Sequence, residues 1–113
     1  MGITKSATRG VAVRLQDAAT TGDGEQIAIP SSFKNHTLYI KGGTGVSAGA
    51  IQPEVANLPE DNDFLWAPVG GGPITILDDE TIVVSLTGIY GAIRARISTT
   101  VANGTVTVDY VGG

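Results

Sequence analysis

In short runs between Val11 and Tyr110 the apolar residues recur at every second position, least regularly over residues 44–62, and no window repeats them at the third and fourth. That spacing is the signature of strands with one dry and one wet face. Val11, Val13 and Leu15 alternate with Ala12, Arg14 and Gln16. Leu38 and Ile40 alternate with Tyr39 and Lys41. Ile82, Val84 and Leu86 alternate with Val83 and Ser85. Turn signals punctuate these runs: Thr20 to Gly24, Pro30, Gly42-Gly43, Pro68, Gly70-Gly71-Gly72, Asp78-Asp79-Glu80 and Gly88. The result is about eight short strands at a spacing of roughly 8–12 residues, which predicts an all-β fold. The architecture expected is a single antiparallel β-sandwich or a jelly-roll-like barrel. An α/β fold is excluded, because the helices that cover a parallel sheet are missing.

The clearest local pattern is GAIRARISTTVANGTVTVDY, residues 91–110. Ile93, Ala95 and Ile97 point one way and Arg94 and Arg96 the other. Past the turn, Val106, Val108 and Tyr110 alternate with Thr105, Thr107 and Asp109. Asn103-Gly104 predicts a primed two-residue turn, with positive φ at both positions, joining two paired strands. One wall of this hairpin would be buried, and the wet wall would carry Arg94, Arg96 and Asp109. Residues 78–80 read as a second hairpin turn.

Length and composition narrow the function classes. A chain of 113 residues suits one domain with its own core. Its 42% hydrophobic and 16% charged residues exclude wholesale disorder. A net charge of −4 lacks the basic footprint of a sequence-independent nucleic-acid binder. With no cysteine there is neither a disulfide nor thiol chemistry nor a cysteine-ligated zinc site. No apolar run approaches the roughly 20 residues of a membrane helix. The N-terminal MGITKSATRG lacks the apolar stretch of a secretory signal. It does match a myristoylation pattern through Gly2 and Ser6, which a polar arm also explains. The sequons at Asn35 and Asn103 read as coincidence without such a signal.

Candidate sites each carry two readings. Arg94 and Arg96 lie roughly 7 Å apart on one strand face. They suit a carboxylate, a phosphate or a partner protein, and equally a local ion pair with Asp109 or another acid. Glu60, Asp61 and Asp63 share one loop, and Asp78, Asp79 and Glu80 another. Either suits calcium by ligand type, but neither has the spacing of a known calcium loop, so solvated turns are the expected role. His36, the single histidine, has no accompanying nucleophile motif. No catalytic residue and no cofactor are assigned, and the chain reads as a non-enzyme without a small-molecule substrate. Phe64 and Trp66 lie on one face of one strand, where a sugar-binding module would stack its ligand. Filling the core is the expected role for so scarce a residue type.

The layout as a whole resembles small structural proteins of tailed-bacteriophage virions. The resemblance runs through a first strand, VAVRLQDAATTGDGEQIAI, then HTLYIKGG, the Trp-containing FLWAPV and a closing YGAIRARISTTVANGTVTVDYVGG. It covers most of residues 10–113 and is strongest at 89–111. The segment ANLPEDND departs from the short Asp-Gly hairpin common there. The resemblance implies a domain at 10–113 behind an arm at 1–9. It implies most of all a capsid decoration, or cement, protein, with tail or baseplate components as alternatives; the small sugar-binding module remains the alternative offered by Phe64 and Trp66. Its partners would be the major capsid protein and copies of itself in a homotrimer on the capsid exterior. Neither nucleic acid nor membrane is implied. Read from the residues themselves, the partner-contacting candidates are Arg94, Arg96 and Asp109, with Ile3, Lys5 and Arg9 on an arm able to add a strand to a neighbour's sheet.

Overall fold

The structure is a computed structural model that describes Ile3, residues 5–57 and residues 64–113. The acidic group Glu60, Asp61 and Asp63 and the Met1-Gly2 pattern lie outside the described residues. Among the described residues there are ten strands and no helix. In chain order they are β1 (Lys5–Ser6), β2 (Val13–Ala19), β3 (Ile27–Ala28), β4 (Asn35–Gly42), β5 (Ala48–Ala56), β6 (Ala67–Pro68), β7 (Ile74–Thr75), β8 (Thr81–Thr87), β9 (Ala92–Ala102) and β10 (Val106–Gly112). Four of them are two residues long, which is why the turn spacing suggested about eight.

Two sheets face each other. One runs β1-β3-β9-β5-β6, with β7 also on β5; the other runs β2-β10-β4-β8. Except for the β5 to β7 stretch, successive strands from β2 onward fall in alternate sheets. That interleaving is the double-sheet jelly-roll arrangement. Pairing is antiparallel throughout except for β1 on β3. The expected arm therefore places Lys5 and Ser6 on an edge of this chain's own sheet, and Ala7 is buried in the core.

The alternation read from the sequence fixes which side chains enter the core. Ile93, Ala95 and Ile97 reach it from one sheet; Leu38, Ile40, Val106, Val108 and Tyr110 reach it from the other. One long side is stitched shut. The Ile97 and Val101 N–H groups donate to the carbonyls of Gly22 and Thr20 (both 3.0 Å). The buried Gln16 amide on β2 donates to the Ala95 carbonyl on β9 at 2.7 Å.

The expected hairpin at 91–110 is not formed. β9 pairs with β3 and β5, whereas β10 pairs with β2 and β4. Asn103-Gly104 is a corner between the sheets, and only Asn103 has positive φ (62°). Gly104 is needed for space: a Cβ there would sit 2.7 Å from Val46 Cγ2. Residues 78–80 form a second such corner, since β7 pairs with β5 and β8 with β4. Alternation tells a strand which of its faces is dry; two strands facing each other across a core show the same pattern as two paired within one sheet.

Candidate functional site

Because β9 and β10 belong to opposite sheets, Arg94 and Arg96 do not share a surface with Asp109. The arginines are on the outer face of the β9–β5 pair. Asp109 is on the outer face of the other sheet, where Arg14 on β2 grips it in a two-pronged contact (Nε to Oδ1 2.7 Å, Nη2 to Oδ2 3.2 Å). That contact, through its hydrogen bond first, holds the Arg14 guanidinium above its ordinary pKa. The local acid expected for the arginine pair does exist, but it is Glu54 on β5.

Strand register explains the meeting. Glu54 is opposite Arg94, and Gln52 is opposite Arg96. Arg94 Nε donates to Glu54 Oε1 at 2.8 Å, and Arg96 Nε donates to Oε2 at 3.2 Å. One carboxylate thus holds both cations. The side chains of Glu54 and Arg94 are only 10% and 14% exposed, whereas that of Arg96 is 39% exposed. Asp23 adds a longer contact to Arg94 Nη1 at 3.7 Å.

The aromatic pair completes this surface. Trp66 receives the Arg94 guanidinium over its ring at 4.2 Å, a cation–π contact. Phe64 lies 6.1 Å from Trp66, centroid to centroid. Both rings are half-buried and outside the hydrophobic core, with exposed Leu65 between them. The expectation that this pair fills the core is therefore overturned: Ile, Val and Leu fill it, and the aromatics cap the arginine–glutamate clamp. The sequence carried a signal for this, since Phe64 and Trp66 follow a polar acidic stretch and precede Pro68.

The remaining candidates are scattered. Lys5 lies 3.5 Å from Glu25 on the β1 edge. Arg9 spans Phe33 at 4.9 Å from its ring and reaches Ser32. Ile3 is half-buried. Asp78 accepts the Gly45 N–H at 2.7 Å, and Asp79 pairs with Lys41 at 3.1 Å. Both serve the corner between the sheets. Among the described residues, no three His, Asp or Glu side chains stand close enough together to hold a metal ion.

His36 is buried between the sheets with both ring nitrogens engaged. The Gly88 carbonyl, 2.8 Å from Nε2, can only accept, so the proton sits on Nε2. Nδ1 then accepts the Tyr110 hydroxyl at 2.7 Å. Burial pushes the Tyr110 phenol up to about 12. The pair forms a closed polar link inside the core.

Fold and surface together define a small jelly-roll domain with an ion-pair-and-aromatic patch on an outer sheet face. Among solved structures the chain is similar to one described as SPBc2 prophage-derived protein YomS. The TM-score is 0.59 at 16% sequence identity, and the match covers 91% of this chain and 92% of that one. The chain matches no protein-family model, and no curated protein sequence matches it.

Proposed function

We propose that this chain is a structural protein of a tailed-phage virion that binds the outside of the head and holds neighbouring shell subunits together. The observation that carries the reading is the shared fold, over nearly the full length of both chains, with a prophage-derived protein. The residue pattern points the same way through its resemblance to virion proteins. The action is mechanical. Each contact with the major capsid protein buries surface that separation of the subunits would have to expose again. The patch of exposed Leu65 with half-buried Trp66 and Phe64 has the aromatic character enriched at protein interfaces. In this reading the chain catalyses nothing and carries no cofactor.

Quantitative mass spectrometry of purified particles tests the proposal. Hundreds of copies that stay with the heads after tails are removed are expected. A few copies confined to the tail would replace the head assignment with a tail or baseplate one.

One observation favours a second reading. Phe64 and Trp66 stand outside the core, where a pyranose ring could stack on them. A sugar-binding module would give hits on a glycan array that Trp66→Ala abolishes; an array without hits removes this reading.

A further inference from the structure

The four edges where the two sheets end differ in one respect. β1 is two residues long and carries Lys5. β2 carries Arg14 and Asp17, has register shifts against β10, and receives the Glu25 N–H on its Leu15 carbonyl at 2.9 Å. β6 and β7 are two residues each, and β6 contains Pro68. Shortness, charge, irregularity and proline are the devices by which proteins stop sheets from pairing edge to edge. β8 has none of them. It runs seven residues, TIVVSLT, without charge, glycine or proline, and its register with β4 is unbroken from Thr81 to Thr87. Among the described residues only β4 pairs with it.

The direction of its free hydrogen-bonding groups follows from the ladder. Gly42 N–H donates to Glu80 C=O (3.1 Å), and Gly88 N–H donates to Lys34 C=O (3.0 Å). Bonding pairs alternate along an antiparallel ladder. Ile82, Val84 and Leu86 therefore bond to β4, and Thr81, Val83, Ser85 and Thr87 present their N–H and C=O groups outward. Those four residues are exposed, Val83 at 56%.

The strand is also nearly symmetric about Val84. Reading outward from Val84 gives Val83 and Ser85, then Ile82 and Leu86, then Thr81 and Thr87. We propose that β8 pairs antiparallel with β8 of a second copy, around a two-fold axis at Val84. Thr81 then meets Thr87, Val83 meets Ser85, and Val84 meets Val84. Every outward group finds a partner, with about eight hydrogen bonds across the axis. Threonine opposite threonine and apolar opposite apolar are favourable cross-strand pairs, and no like charges face each other. The interface is isologous and closes at two copies, joining two 4-stranded sheets into one. This two-fold state replaces the threefold one implied by the resemblance, and it is independent of whether the protein binds a phage head.

Sedimentation equilibrium of the full chain, at micromolar concentration and above, is the test. A mass of twice 11.5 kDa is expected. Ser85→Pro removes only an outward N–H and leaves the β4 ladder intact, so it should abolish the dimer and keep the fold. The chain has no cysteine, which makes single-cysteine variants clean reporters. Val84→Cys should cross-link to itself on mild oxidation, because facing residues in a non-bonded pair stand close; Ile82→Cys, out of register with itself, should not. If Ser85→Pro fails to fold, the cysteine pair decides alone. A monomer, a trimer, or a dimer in which Val84→Cys does not cross-link overturns the proposal.

Discussion

Removing the Glu54 carboxylate should cost more than removing both charges of the pair it forms with Arg94. Glu54→Met leaves the Arg94 guanidinium 14% exposed and without its 2.8 Å partner. At an effective dielectric near 20, unit charges about 4 Å apart attract by about 4 kcal/mol. Arg96, 39% exposed, contributes less because water screens it. Asp23 at 3.7 Å and the Trp66 ring at 4.2 Å still stabilise the orphaned cation, and the variant no longer desolvates a carboxylate. The net loss is about 2–3 kcal/mol, somewhat below the range for breaking a fully buried pair. For a domain of this size that lowers Tm by roughly 8–12 °C. Arg94→Met in the same background removes the stranded charge, so the double variant should recover part of that loss, with a coupling of about 1–2 kcal/mol. Urea unfolding of wild type, both single variants and the double gives the cycle. Additive losses, or a Glu54→Met loss within about 0.5 kcal/mol of zero, would mean that the clamp does not bind its charges.

The corner and the core link give further expectations. Asn103→Ala places a side chain that disfavours positive φ at 62° and should cost about 1 kcal/mol; Asn103→Gly should be tolerated. Gly104→Ala should cost about 1–2 kcal/mol through contact with Val46, and less in a Val46→Ala background; equal costs in both backgrounds would refute the steric account. The Tyr110 phenol, raised to about 12 from 10.0, stays protonated in the folded chain while the unfolded chain ionises. Its contribution is therefore fully present below pH 10 and lost as pH rises from there towards 12, at up to about 1.4 kcal/mol per pH unit. Tyr110→Phe should remove that slope and destabilise by about 1–3 kcal/mol at neutral pH, because His36 Nδ1 loses its donor.

What the sequence made legible is the facing of side chains. The period of two placed Ile93, Ala95, Ile97, Val106, Val108 and Tyr110 correctly in the core. It put Arg94 and Arg96 on the face turned away from the core, where they are, but did not show that Glu54 and Trp66 would cover Arg94 there. It did not reveal which strands are neighbours, because pairing depends on contacts distant in sequence. Arg94 and Glu54 are 40 residues apart, and Asp109 finds Arg14 across 95. Asn-Gly biased the reading towards a hairpin, since both residues favour primed turns. A single positive φ and a steric need for glycine satisfy the same dipeptide at a corner between sheets. The placing of Trp66 failed for a related reason: aromatic residues in a strand-like run signal burial in general, and burial against Arg94 on an outer face meets the same preference.

The interleaved topology has a consequence for how this chain can meet other molecules. With β9 and β10 in opposite sheets, Arg96 and Asp109 look out from opposite sides, so no single flat partner touches both. Arg14 already engages Asp109, and Glu54 already holds Arg94 and Arg96, so a partner gains little by competing for those charges. What remains available on the β9–β5 face is the exposed Leu65 beside half-buried Phe64 and Trp66, supported from beneath by the clamp. The β8 edge belongs to the other sheet. Pairing of two copies through β8 would therefore leave both aromatic patches uncovered, on the sheet that takes no part in the pairing. Two identical patches on one rigid body bind a repeating surface with an effective concentration that a single copy lacks. If both contacts form, Ser85→Pro should weaken attachment to such a surface while leaving the intrinsic affinity of each patch unchanged.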